Sequence, residues 1–441
     1  MAHGVVGGGT EALSDPHGSR RVLGGPAPVD ARVRRYILFV VLWSFELWHP
    51  FWTLWLLSAP GVNYLNATLV DVVFWAVSIL IAMPAGAFAD RIGRKPSLLL
   101  GIVMWNAGIV VFGLARSLPV FAIANATWAF GASFLFSSGP AFLYDTLTEA
   151  GQEARYPKVM SRVAMLGFLS TAAGCGVGGL VVLATGSLQA VLLLNVVTGG
   201  LAAATVLTFR EPAVPRRPES GLFAQIVTGL RATRRSRQIS LLILFQVLTG
   251  IVLYVLAFFR APLVESIVGQ NYLMIGLVFG GFFCVASVAG LSFGRILERL
   301  GETGTLALTY LLVYPPFLLI YAASAGTFTP GFTAAFAILA QIPSYIIWGL
   351  ETPVVTTIIN RRVGASQRAT VLSVSIFFTT LSLGITEPIV GYLATLYDLG
   401  LGLSIFAVIA AVPSALVLGA YRRSEREAPL PAAPVLPDRG P

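Results

Sequence analysis

Two stretches carry residues whose types and spacing can do chemistry within an otherwise apolar chain. In Trp43-Ser-Phe-Glu46-Leu-Trp48-His49-Pro50-Phe-Trp52 a carboxylate and an imidazole stand three residues apart inside a long apolar run. On a helix that spacing puts both on one face, and Pro50 frees a backbone carbonyl and lets the helix bend there. A carboxylate beside an imidazole can take up and release a proton near neutral pH. The other reading is a hydrogen-bonded pair that only fixes helix packing; the cost of keeping an acid in hydrocarbon favours a working role. The second stretch, Gly86-Ala-Phe-Ala-Asp90-Arg91-Ile-Gly93-Arg94-Lys95, separates two apolar runs. Three cations and one carboxylate on a glycine-containing turn at a membrane surface suit ion pairs that make and break.

The second pattern recurs. Gly294-Arg-Ile-Leu-Glu298-Arg299-Leu-Gly301 repeats the spacing G-x-x-x-[D/E]-R-x-G, 208 residues after Gly86. Asp145 with Glu351, and Arg162-Val-Ala-Met-Leu with Arg368-Ala-Thr-Val-Leu, keep an offset of 206. Three anchors at one period indicate two homologous halves. Asp145 and Glu351 fall at the depth of the glycine-arginine loops, where pairing with loop cations is the expected role of each. Asp71 and Glu387 fall toward the opposite ends of their runs, where they either close an outer gate or reach water.

The elements that position these residues follow from composition. Of 441 residues, 56% are hydrophobic and 11% charged, against about 25% charged in soluble domains, so the chain is an integral membrane protein. Apolar runs long enough to cross about 30 Å of hydrocarbon fall at 36–57, 65–88, 97–115, 119–145, 163–185 and 188–209. Six more fall at 240–262, 272–297, 303–323, 331–359, 369–395 and 400–421. Twelve helices in two domains, 36–209 and 240–421, are expected. A basic cytoplasmic linker at 210–239 joins them, its later part a possible surface helix, and disordered cytoplasmic tails occupy 1–35 and 422–441. The net charge of +9 is distributed unevenly: of 29 Lys and Arg, only Arg116 and Arg260 fall on one side. That asymmetry places the motif loops and both termini in the cytoplasm and removes any need for a nucleic-acid partner. Cys175 and Cys284 lie inside apolar runs and read as small core residues. No cleavable signal peptide is visible, so the first helix is its own insertion signal.

Gly86 to Lys95 resembles the signature loop of the major facilitator superfamily, G-x-x-x-D-R-x-G-R-K, at every defining position, and the resemblance covers residues 36 to 421. It implies an all-α membrane protein of twelve transmembrane helices in two pseudo-symmetric six-helix bundles rocking about a central site. It also implies that helices 1, 4, 7 and 10 line the cavity. These carry Trp48, Trp52, Asn125, Trp128, Gln246, Thr249, Tyr254, Gln341, Tyr345 and Trp348. Large aromatics with a few neutral polar groups suit an amphipathic organic solute, although packing accounts for any one of them alone. No dense basic cluster lines these helices, which argues against a phosphate ester or polyanion. By the same resemblance Gly86, Asp90, Arg91, Gly93, Arg94, Asp145 and Arg162, with their mates Glu298, Arg299, Glu351 and Arg368, form a cytoplasmic gate. Asp90 would cap a helix beginning at Ser366 in the other half, while Arg91 or Arg94 pairs with Asp145. Gly167, Gly174, Gly176, Gly178 and Gly179 on helix 5 resemble the glycine-rich motif of the family's drug/proton antiporters. That motif's proline before the final glycine pair is absent, and so is the arginine those antiporters carry on helix 4.

The expected function is proton-linked export of a small amphipathic organic solute across a bacterial plasma membrane, by a monomer without cofactors, with Glu46 and His49 as the proton site. A uniporter, a symporter or a non-transporting receptor of the same fold remain the alternatives. No nucleotide loop, metal-ligand spacing or nucleophile with a base speaks for an enzyme.

Overall fold

The computed structural model describes residues 29–213, 233, 236–324, 330–362 and 368–427. The first tail to residue 28, most of the linker, Ser366 and the tail from 428 lie outside them. Among the described residues the elements are helices, with no strand.

The first span contradicts the expectation of one continuous helix over 36–57. It consists of α1 (Val29–Trp43) and α2 (Trp52–Leu57), separated by irregular chain from Ser44 to Phe51. Pro50 explains the break, because it has no N–H to donate and its ring collides with the carbonyl four residues back, that of Glu46. The residue before a proline is also pushed out of helical geometry. Glu46 and His49 are therefore not on a helical face; they stand on turns held by bonds such as Phe51 N–H to the Trp48 carbonyl at 2.8 Å.

An open backbone segment in hydrocarbon needs partners from its neighbours. Helix α6 (Tyr156–Thr185) and helix α7 (Leu188–Leu207) supply them. The Ser170 hydroxyl donates to the Val41 carbonyl at 2.6 Å, and the Thr171 hydroxyl donates to that of Ser44 at 2.9 Å. The Leu47 N–H donates to Asn195 Oδ1 at 3.3 Å. Glycines on α6 let the segment come this close. A Cβ on Gly178 would lie 2.2 Å from the Leu47 carbonyl oxygen, and one on Gly174 would lie 2.7 Å from the Glu46 nitrogen.

The remaining spans of the first half are α3 (Tyr64–Arg91), α4 (Arg94–Leu114) and α5 (Leu118–Glu149), followed by α6 and α7. The second half begins with α8 (Arg237–Val268) and α9 (Tyr272–Val313), which holds two spans joined at Gly301. It continues through α10 (Pro315–Ser324), α11 (Pro330–Leu339), α12 (Ile342–Arg362), α13 (Arg368–Leu396) and α14 (Leu399–Glu427). Nine stretches among the described residues are long and apolar enough to cross a membrane uninterrupted. The first, ninth and tenth spans complete the twelve, each from two helical pieces. The repeated motif has a backbone basis: Gly93 and Gly301 occupy equivalent positions and both take positive φ, 132° and 67°. A side chain would be strained at either turn.

The halves press together on the face opposite the motif loops. There α3 meets α13, with the Leu65 N–H donating to Thr395 Oγ1 at 3.3 Å. Helix α6 meets α9 through small residues, so that a Cβ on Gly276 would fall 2.5 Å from the Cys175 carbonyl oxygen. Both cysteines are free. Gly178→Ala is expected to overpack the seat of the helix break and cost about 1–3 kcal/mol. Thermal unfolding of the purified protein checks this, and an unchanged melting temperature would show that the segment moves aside freely.

Candidate functional site

The broken first span places its ionisable pair in mid-bundle. His49 Nδ1 lies 2.7 Å from Glu46 Oε2, with both side chains partly buried. The far side of the imidazole is covered by the other half, since its ring meets Phe283 at 4.9 Å, nearly perpendicular. Around the pair runs an aromatic sheath. Trp48 abuts Trp128 at 4.6 Å, Trp52 abuts Phe258 at 5.5 Å, and Tyr254 bridges Trp75 and Trp348. Of the residues predicted to line a cavity, Trp48, Asn125, Trp128, Gln341 and Tyr345 are buried, whereas Trp52, Gln246, Tyr254 and Trp348 are half-buried. Several are engaged within the protein: Gln246 accepts from the Ser375 hydroxyl, and the Gln341 amide donates to the Ala337 carbonyl. The aromatic set is thus drawn together, in a closely packed conformation.

Arg260, counted in the sequence among the cations of the outer side, is instead buried within the bundle. It sits on α8 with 2% of its surface exposed. The run read as ending at 262 continues as helix to Val268, so the arginine stands well inside its helix rather than near its end. One Nη donates to Ser344 Oγ at 3.0 Å, and the guanidinium lies 4.2 Å above the Tyr345 ring. Its Nε–H has no hydrogen-bond partner.

Asp71 on α3 and Glu387 on α13 are 7% and 1% exposed, so neither reaches water. The two carboxyl groups face each other across the two halves. Trp75 Nε1–H donates to Glu387 at 3.0 Å, and the Asn125 amide donates to Asp71 at 3.4 Å. An ionised carboxylate only accepts, so two carboxyl groups can bond to each other only when one carries a proton.

On the loop face, Arg94 bridges Asp90 at 2.9 Å and Asp145 at 3.3 Å, as expected for one of the two candidate arginines. Arg91 and Arg162 are exposed, and Gly86 is half-buried. The sequence missed Glu211, whose carboxylate accepts from the backbone N–H groups of Arg94 and Lys95 at 2.6 and 2.7 Å. A carboxylate at the first turn of α4 is favoured by the helix dipole. It also leaves no space beside Gly93, where a Cβ would meet it at 3.0 Å. In the second half the predicted mates Glu298 and Arg299 are both exposed. The buried pair there is Glu302 with Arg362 at 2.6 Å, joined by the Tyr421 hydroxyl at 2.9 Å. Glu302 follows Gly301 as Arg94 follows Gly93, so the second half keeps the position and reverses the charge. The side chains of Glu351 and Arg368, like Ser366, lie outside the described residues, and with them the proposed contact of Asp90 to the other half.

Twelve spans in two related halves, with polar groups gathered where the halves meet, define a membrane transporter. Residues 36–386 match the family model of the Major Facilitator Superfamily, and the chain belongs to that family, whose members are transporters rather than enzymes. Among curated relatives it is similar to Multidrug resistance protein 2 of Bacillus subtilis (30% identity over 128 residues, covering 28% of this chain and 29% of the relative). It is also similar to Multidrug resistance protein 1 of the same organism (27% over 183 residues, 40% and 42%). The matched stretches therefore span less than half the length of either relative. Among solved structures, the nucleoside transporter NupG (D323A mutant) superposes with a TM-score of 0.74 at 12% identity, over 90% of this chain and 100% of that one. A bacterial homologue of the lysosomal transporter Spinster, inward-facing and occupied, gives 0.68 at 17%, over 91% and 98%. At these identities the likeness is one of fold.

The two loop-face clusters should respond differently to neutralisation. Glu302→Gln strips the buried Arg362 of its closest counter-charge, leaving Glu425 at 3.7 Å, and is expected to cost about 3 kcal/mol. Asp90→Asn leaves Arg94 paired with Asp145 and should cost about 1 kcal/mol or less. Thermal unfolding of both variants decides; equal shifts would mean that the clusters are equivalent.

Proposed function

We propose that the chain is a proton-linked secondary transporter that exports a small amphipathic organic solute from a bacterial cytoplasm by alternating access. The observation that carries this reading is the Glu46–His49 pair, exposed to the bundle interior by the break in the first span. Interrupted helices at mid-bundle are where transporters of this architecture bind solutes and coupling ions, and a carboxylate held against an imidazole gives a proton two adjacent resting places. The aromatic sheath supports an amphipathic cargo. The multidrug-resistance relatives support the outward direction of transport. The cation asymmetry supports cytoplasmic termini and an arrangement in which the motif loops face the cytoplasm. A single chain carries both halves, which suits a monomer working in the bilayer without a cofactor.

In this reading the shut face is the outer one, and a proton shared between Asp71 and Glu387 is its clasp. Opening that face separates α3 from α13 and hydrates both carboxyls, which then release the shared proton. A state that holds an additional proton gains population as pH falls. The loop-face ion pairs of Arg94, Asp90 and Asp145, with Arg91, Arg162, Glu298, Arg299, Glu351 and Arg368 around them, act as the inner gate; Glu302 and Arg362 join them.

If Glu46 is the carrier, Glu46→Gln in liposomes abolishes uphill solute movement driven by a pH gradient, while solute-for-solute exchange survives. Continued concentration of solute against its gradient in this variant would remove Glu46 from the coupling site.

A further inference from the structure

An unpaired guanidinium inside a membrane protein is expensive to keep, because its hydration is lost and no counter-charge replaces it. Arg260 is in that position. It is 2% exposed, its Nε–H is unpartnered, and no described carboxylate approaches within ion-pairing distance. Its neighbours shield the charge without neutralising it. The Ser344 hydroxyl accepts one N–H while donating its own proton to the Gln341 carbonyl at 2.6 Å, and the Tyr345 ring offers its face to the cation. Both neighbours belong to α12 and its start, at the interrupted tenth span, as Glu46 belongs to the interrupted first.

We propose that Arg260 receives the anionic head of the transported solute, a monoanionic carboxylate carried on an apolar aromatic or aliphatic body. A guanidinium presents Nε–H and one Nη–H side by side, matching the two oxygens of a carboxylate. Here the Nε–H is free and the Ser344 bond is the one that must be exchanged. The body of the solute is provided for along the same wall. Tyr345 packs on Phe282 at 4.8 Å and on Phe283 at 5.2 Å, and Phe283 in turn meets the His49 ring of the other half. The His49–Phe283 contact joins the halves, so their rocking uncovers the path to Tyr345 and the guanidinium beneath it. One cation suits one negative charge, in keeping with the absence of a dense basic cluster on these helices. The same chemistry would hold a chloride ion, which is too small to use the aromatic wall.

This assignment rests on the reading of the chain as a transporter of amphipathic solutes, and binding separates the two. Purified full-length protein in nanodiscs is titrated calorimetrically with 4-phenylbutyrate, with its neutral amide, with 4-phenylbutylamine and with sodium chloride. The carboxylate is expected to bind at least about tenfold more tightly than the amide, and chloride to compete only weakly. Arg260→Gln should abolish that preference. Arg260→Lys, which keeps the charge and loses the fork, should retain part of it and provides the test if the glutamine variant does not fold. Equal binding of carboxylate and amide, a preference that survives in Arg260→Gln, or chloride binding without carboxylate preference would overturn the proposal. Counterflow of the amine or the amide into liposomes reads transport independently: if it proceeds while the carboxylate preference is missing, the transporter reading stands and the role of Arg260 falls.

Discussion

Hydrocarbon offers a polypeptide no hydrogen bonds, and the local design of this bundle follows from that constraint. The break from Ser44 to Phe51 leaves carbonyls and an N–H without helical partners. It survives because Ser170, Thr171 and Asn195 stand in for the missing bonds and because Gly174 and Gly178 let the strand of irregular chain sit flush on α6. The glycine face thus has two tasks, seating the break with one part and packing the second half through Cys175 and Gly179 with another. A helix that had to serve only as a lipid-facing wall would need neither.

The same cost governs the charges. Several ionisable groups in the bundle are held by a partner side chain, His49 for Glu46, Asn125 for Asp71 and Glu302 for Arg362, whereas Arg260 has no described carboxylate beside it. On the loop face the two halves share a turn but not a charge pattern. Gly93 leads into Arg94 between two acids, whereas Gly301 leads into Glu302 against Arg362 and Tyr421. The second cluster is more deeply buried than the first, with side chains 5% and 4% exposed. Burial raises the cost of separating a pair, so the second-half cluster is the harder of the two to pull apart.

What could be read from the sequence was whatever repeats or is local. The twelve spans follow from apolar run length, and the glycine pattern announced two turns that proved to need positive φ at Gly93 and Gly301. Pro50 pointed to a bend where the chain in fact breaks, because periodicity cannot tell a kink from an interruption that neighbours repair. The partners of Asp71 and Arg260 were illegible for a different reason. Glu387 lies in the other half, and nothing local to either residue encodes a meeting that depends on how α3 packs on α13. Arg260 read as an outer-side cation because its run was ended at Pro262, short of the helix end at Val268, and Glu302 was overlooked because the motif pattern stops at Gly301. Glu211 was hidden in what read as linker, yet it caps a transmembrane helix.

If proton occupancy sets which face of the bundle is open, the gap across the shut face must change with pH. Spin labels at Ser117 and Tyr397, on exposed chain of opposite halves at that face, report it by double electron–electron resonance in a variant lacking Cys175 and Cys284. A single short distance is expected at about pH 5, with a longer population growing in toward about pH 8. That pH dependence should vanish when Asp71→Asn and Glu387→Gln are combined. Identical distance distributions at both pH values in the protein with Asp71 and Glu387 intact would contradict the link between the shared proton and the closure of the outer face.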